Sequence, residues 1–176
     1  MLHSEQNGIT VREVRESDLA QYRDLRLEAL KTTPTAFGAD YQESLALPGS
    51  AWLERVRQNT NNHFAALLVA EQNGVLIGMT GVRRDYGVKS QHNASIWGVY
   101  VRSHARANGL AGTLLAHAML WAQQMGIARL ELKVSTQNSS ALALYTKAGF
   151  EIAGTLRGTL RIADQLLDEY ILERRL

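Results

Sequence analysis

Cysteine is absent from the 176 residues. That excludes a disulfide framework, a thiolate zinc site and a covalent cysteine nucleophile together. Charge of one sign is scarce: 19 Lys and Arg against 17 Asp and Glu leave a net +2. So slight an excess argues against nucleic-acid binding without a concentrated basic stripe, although it favours an anionic small ligand. No apolar run approaches the ~18 residues of a membrane span, and residues 1–8 are polar, without the apolar centre of a secretion signal. Internal repeats, low-complexity tracts and linkers are missing too. The expectation is one cytoplasmic domain over residues 1–176, engaging neither nucleic acid nor membrane and holding no metal. What is present, 45% hydrophobic and 20% charged residues, is an ordinary globular composition in a chain long enough to bury a core unaided.

Residues 9–14 read as a strand. A helix follows from Ser17 or Asp18 as N-cap, with Leu19, Tyr22, Leu25, Leu27 and Leu30 apolar. Pro34 and Gly38 break it, and Pro48-Gly49 precedes a second amphipathic helix near residues 50–58. Residues 64–71 and 75–83 are apolar runs joined through Gln72-Asn73-Gly74, whose Asn-Gly pair suits the positive φ angles of a tight hairpin turn. Residues 94–102 form a third strand-like segment. Leu110, Leu114, Ala118, Trp121 and Met125 then share one helical face that Gly126 ends. Residues 128–134 alternate as a half-buried strand, a short helix runs from Asn138 to Gly149, and residues 150–155 and 166–172 close the chain as strands. The fold class is therefore α+β.

Two stretches are suited to chemistry. In the first, Val99-Tyr100-Val101 runs through Arg102-Ser103-His104-Ala105 into Arg106-Ala107-Asn108-Gly109-Leu110-Ala111-Gly112-Thr113. A strand enters a small-residue turn that opens a helix, where unpaired N–H groups and the dipole favour a pyrophosphate. Gly109, Ala111 and Gly112 leave the backbone approachable, Arg106 adds charge and Thr113 a hydroxyl. The plain alternative is a turn that needs small residues for packing. Neither the Gly-Lys-Ser/Thr ending of a Walker A loop nor a full G-x-G-x-x-G is present. In the second stretch, Asn138, Ala141 and Tyr145 stack on one helical face, with Ala141 leaving a gap between two polar side chains. Asn138 also reads as an N-cap, Tyr145 as a core residue and Gly149 as a C-cap.

Together the stretches carry a family resemblance. Arg106-x-x-Gly109-x-Ala111 resembles the Gln/Arg-x-x-Gly-x-Gly/Ala signature of the GNAT acyltransferase superfamily. Asn138-x-x-Ala141-x-x-x-Tyr145-x-x-x-Gly149-Phe150 resembles its later Asn…Tyr…Gly-Phe pattern, and one helix and one strand lie between, as in the family. The resemblance implies a twisted mixed sheet of about six to seven strands flanked by about four helices, often paired as a homodimer. It implies two parallel strands splayed to admit the pantetheine of acetyl-CoA against Val99, Tyr100 and Val101. The pyrophosphate would lie over Arg106, Ala107, Asn108, Gly109, Leu110, Ala111, Gly112 and Thr113, with Asn138 on the pantetheine and Tyr145 at the thioester sulfur. The sequence departs from the pattern at Asn108, where a basic residue is usual, at Ala107, where Gly is common, and at His104, near a frequent Pro. Ser95, Ile96, Trp97 and Gly98 lack the carboxylate that the family often supplies there.

The implied reaction is direct attack of a primary amine on acetyl-CoA in a ternary complex. The strand amide near Val99 would face the oxyanion, and Tyr145 would serve the leaving thiolate as catalytic acid. Glu43, Asp85 and His92 are candidate bases by chain region, and Tyr41, Trp52, Tyr86 and Tyr170 are candidate walls for the acceptor amine. A non-catalytic acyl-CoA-binding module and a dinucleotide oxidoreductase with Glu131 as its ribose-binding acid are the competing readings.

Overall fold

The apolar runs of the middle third become the centre of a sheet covered on both faces. The computed structural model describes residues 4–6 and 8–176, with side chains from Gly8 onward; half of the polar segment 1–8 lies outside the described residues. The chain runs β1 (Ser4–Gln6), β2 (Ile9–Glu13), α1 (Leu19–Thr32), α2 (Tyr41–Leu45) and α3 (Gly49–Arg57). It continues through β3 (Ala65–Gln72), β4 (Val75–Arg84), β5 (Asn93–Val101) and α4 (Leu110–Gln124). It ends with β6 (Arg129–Ser135), α5 (Ser139–Lys147), β7 (Glu151–Ile162) and β8 (Gln165–Arg175).

The sheet order is β1-β2-β3-β4-β5-β6-β8-β7, and β5–β6 is its parallel pair among antiparallel neighbours. The expected mixed sheet with flanking helices is what forms. Its eighth strand is β1, three residues long and too polar to read from pattern, and the fifth helix is the five-residue α2, capped where Asp40 accepts from the Glu43 N–H at 2.9 Å. Leu67 and Val69 of β3 face a cluster with Tyr22, Leu25 and Trp52, while Ala66 and Leu68 face Leu115, Ala118 and Trp121 of α4. Helices on both faces explain why residues 64–71 read as an unbroken apolar run rather than an alternation.

The hairpin between β3 and β4 follows its turn chemistry. Asn73 and Gly74 have φ of 50° and 79°, and Gln72 pairs Val75 across them. Asp18 stands at the N-cap of α1 but makes no capping bond there. Its carboxylate accepts from Arg12 Nη1 at 2.6 Å and Nη2 at 2.9 Å, and from the Arg15 N–H at 2.7 Å. This buried pair, joined by Glu71 at 2.6 Å, ties β2 to the entry of α1.

Two features of β5 position the site. Its pairing with β6 stops after Asn93–Arg129, Ala94–Leu130 and Ser95–Glu131, although both strands continue. On the other edge Met79 pairs Tyr100 but Gly81 pairs Trp97, so Gly98 and Val99 together oppose Thr80 in a β-bulge. Gly98 supplies the φ of +69° that the bulge uses. The extra residue inverts the alternation. Ile96 and Val99 pack toward α4, whereas Trp97 and Tyr100 pack toward α1.

Candidate functional site

Beyond Ser95 the two parallel strands diverge, and their facing edges carry no ladder bonds. A cavity of about 500 Å³ occupies the gap, lined by Val99, Tyr100 and Val101 from β5 and by Lys133 and Ser135 from β6. Arg106, Ala107 and Ala111 from the entry to α4, and Asn138 at the N-cap of α5 with Ala141 and Tyr145 within it, complete the lining. Both sequence constellations, far apart in the chain, thus line one cleft.

The pyrophosphate loop is built mainly of backbone. Gly109 is the N-cap of α4 with φ of +76°, and no side chain caps the helix. The first helical bond runs from the Thr113 N–H to the Gly109 carbonyl at 3.0 Å, so the N–H groups of Leu110, Ala111 and Gly112 precede the ladder. Residues 106–109 are exposed. Ala107 holds φ of +65°, which accounts for glycine being common there in the pattern it resembles. Arg106 is fixed by its Nε donating to the Val101 carbonyl at 2.8 Å, and its guanidinium lies 5.5 Å from the Tyr100 ring centre.

Other expected contacts are limited to backbone or point elsewhere. The Leu110 side chain packs in the core with Leu114 and Val101, leaving its N–H alone for a ligand. The Thr113 hydroxyl turns back to donate to the Gly109 carbonyl at 3.4 Å. Asn108, Gly109, Gly112 and Thr113 lie outside the cleft lining. Tyr100 shows its backbone edge to the cleft region, while its hydroxyl donates to Glu28 at 2.9 Å and meets the Thr32 hydroxyl at 3.2 Å. Burial is the first cause that raises its pKa; Glu28 adds to it, against Thr32 and Arg106.

On α5 the Asn138 side chain accepts from the Ala141 N–H and from the Ser140 hydroxyl, both at 3.1 Å. The N-cap reading therefore holds for its oxygen, while the amide nitrogen has no protein acceptor among the described residues. Tyr145 is 7% exposed and meets Phe150 edge-on at 6.2 Å between ring centres. Its hydroxyl has no hydrogen-bond partner among the described residues, and burial pushes its pKa up to about 12. A phenol in that state keeps its proton over the whole neutral range and is present as a hydrogen-bond donor.

A second cavity of about 460 Å³ lies on the α1 side of the bulge, lined by Tyr22, Arg26, Arg55, Asn59, Arg83, Asp85, Tyr86, Ser95 and Trp97. Trp97 lines both cavities. Its indole lies flat on Gly81, where an added Cβ would fall 2.1 Å from the ring. Of the three candidate bases, Asp85 lines this cavity, whereas Glu43 and His92 are exposed elsewhere. Of the four candidate walls, Tyr86 lines it and Tyr41 lines a separate cavity near Leu160. Trp52 is fully buried against Tyr22 and Val56, and Tyr170 packs on the α4-side core. Sequence reasoning missed Arg26, Phe37 and the Gly98–Val99 bulge. A lone glycine inside an apolar strand was the available sign of the bulge.

Comparison with known proteins gives a consistent picture. Residues 22–150 match the profile of the Acetyltransferase (GNAT) family. The N-acetyltransferase YhfO of Bacillus subtilis is 32% identical over 112 residues, covering 63% of this chain and 74% of that protein. A GNAT-family acetyltransferase from Streptococcus pneumoniae superposes with a TM-score of 0.84 at 25% identity, over 96% of this chain and 99% of that one. The yncA protein from Salmonella typhimurium, solved with its cofactor acetyl-CoA, shares the fold at a TM-score of 0.80 and 20% identity, over 96% of this chain and 94% of that one.

Proposed function

This chain belongs to the Acetyltransferase (GNAT) family, and we propose that it transfers acetyl from acetyl-CoA to a primary amine by direct attack in a ternary complex. The observation that carries the reading is the splay of β5 from β6, which opens one cleft onto Val99, Arg106, Asn138 and Tyr145. The cleft fits the cosubstrate in its chemistry. The unladdered β5 edge matches the amides of a pantetheine arm, and the open N–H groups at the start of α4 match a pyrophosphate. Asn138 retains an amide donor for a pantetheine carbonyl. Residues 1–176 act in this reading as one cytoplasmic domain, and the exposed outer strand β7, with Ile152 51% exposed, supports assembly as a homodimer.

Acetyl-CoA supplies an activated thioester. The β5 amide near Val99, aimed by the bulge, holds the negative charge that develops on the carbonyl oxygen as the nitrogen–carbon bond forms. As the carbon–sulfur bond breaks, Tyr145 gives its proton to the sulfur. Asp85, directly or through one water, takes the proton that the amine loses. Tyr145 suits its part because an un-ionised hydroxyl without a competing protein partner is available to the sulfur.

Thermal melts with acetyl-CoA and with NAD test the cofactor. Acetyl-CoA at about 100 times its Kd should add roughly 2.7 kcal/mol of stability, and NAD should add none. The reverse order would favour the dinucleotide reading. Initial rates with both substrates varied should intersect rather than run parallel, and stabilisation by acetyl-CoA without CoA release from any amine would identify a binding module.

A further inference from the structure

The second cavity sets four guanidinium groups, Arg26, Arg55, Arg83 and Arg84, against one carboxylate, Asp85, in its lining. Six ion pairs form among the described residues, and none includes Arg26, Arg55 or Arg83. Each is nevertheless held in place. Arg26 stacks on the Phe37 ring at 4.7 Å, Arg55 on the Trp52 ring at 4.9 Å, and Arg83 donates through Nη2 to Asn59 Oδ1 at 3.0 Å. The anchoring leaves Arg26 Nη1 and Arg83 Nε buried with no hydrogen-bond partner. Arg84, also in the lining, is held in the same way: its Nη2 donates to the Met125 carbonyl at the end of α4, and its Nε is buried without a partner.

A buried guanidinium without an acceptor is costly, and fixed forks of this kind match a carboxylate. Burial, with the like charge of Arg55 acting in the same direction, lowers the pKa of Arg26 against the opposing effect of Tyr22. An anion in the cavity would relieve both. Arg26 Nη1 lies 3.7 Å from where a Cβ on Gly98 would stand, and Gly98 lines the cleft assigned to acetyl-CoA. The cationic cavity and the thioester cleft therefore meet at the bulge, with Asp85 as the carboxylate in the cavity lining.

We propose that the acceptor is a small amine that also bears a carboxylate, a free amino acid, whose carboxylate is held by Arg26, Arg55 and Arg83. Its amine then points to the Trp97–Gly98 junction and to Asp85. The volume of about 460 Å³ suits a ligand of this size and is small for a folded partner. The inference rests on the acetyltransferase reading above.

The test measures calorimetric binding to the protein saturated with CoA, using the twenty proteinogenic amino acids, their carboxamides and the corresponding decarboxylated amines. At least one amino acid should bind tenfold or more tightly than both its neutral partners. In Arg26→Met and Arg83→Met that preference should fall below about threefold, with stabilisation by acetyl-CoA as the control for folding. Arg55→Met, at a half-buried position, provides a third variant should either of these fail to fold. Equal binding of acid and carboxamide throughout, or a preference that survives in the folded variants, overturns the proposal. Release of CoA from acetyl-CoA with the amino acid that binds is read separately. Arginine-dependent binding without release upholds the anion site and counts against the acetyltransferase reading instead.

Discussion

Replacing Tyr145 by Phe removes one hydroxyl and keeps the ring against Phe150. Because that hydroxyl has no protein partner among the described residues, its loss should leave stability at neutral pH within about 1 kcal/mol or raise it slightly. At alkaline pH the two proteins should part. The folded pKa, pushed up to about 12 by burial, lies above the ordinary 10.0. The unfolded chain therefore loses this proton first. The stability contributed is fully present below pH ~10 and is lost as pH rises through ~12. At roughly 1.36 kcal/mol per pH unit the loss is on the order of 3 kcal/mol. For a chain of this size that corresponds to roughly ten degrees in melting temperature. Tyr145→Phe should be spared this fall, and the difference between the two proteins removes the contribution of the other buried tyrosines. In steady-state assays at neutral pH the variant should bind acetyl-CoA within about threefold of the parent, under ~0.7 kcal/mol. Its kcat should fall tenfold or more, a loss of at least ~1.4 kcal/mol at the transition state. An acyl donor with a better leaving thiol should shrink the defect. Undiminished turnover in the variant, with chemistry shown to be rate-limiting, would refute the role and leave Tyr145 a packing residue.

Gly109→Val should abolish stabilisation by acetyl-CoA, but the φ of +76° means that it also costs fold stability. Gly109→Ala, at a cost of about 1–2 kcal/mol, is the gentler comparison, read by thermal melts with and without cosubstrate. Gly81→Ala should drive the Trp97 indole off its seat, costing about 1–3 kcal/mol and reducing turnover by misshaping both cavities, as chemical denaturation and rate assays would record. At Asp18, burial raises the pKa, but the Arg12 hydrogen bonds and the Arg15 N–H outweigh it, and the net shift is downward. Its contribution is present above the ordinary 3.8 and is lost as pH falls through the lowered value, and Asp18→Asn, which leaves Arg12 its Glu71 partner, should cost about 1–3 kcal/mol near neutrality. Light scattering at micromolar concentration should give the mass of two chains; the mass of one would exclude the homodimer there.

What the sequence disclosed depended on how local the cause was. The Asn73-Gly74 turn was legible because its φ angles belong to those two residues alone. The same holds for the helix face of Leu110, Leu114, Ala118 and Trp121, since burial there follows the helical period. The two halves of the cleft were legible as motifs, and their meeting follows from strand order. β7 was read only to Thr155 because its register slips twice against β8, around Ala153 and around residues 157–159. That breaks the alternation on which the reading relied. Trp52 was misjudged as a wall because an amphipathic helix does not reveal which neighbour covers its apolar face; α3 turns it inward onto Tyr22. Arg26 was passed over for a related reason. Its exposure is set by Phe37, eleven residues on, and by a bulge in a strand more than seventy residues away.

The account stands most directly on one measurement: acetyl transfer from acetyl-CoA to an amine panel, followed by free CoA and by the mass of the acetylated product. It predicts CoA release that depends on the amine, in equal amount to the acetylated product, fastest for an amino acid and slowed at least tenfold in Tyr145→Phe. An amine-independent trickle of CoA with no acetylated product from any member of the panel would contradict it.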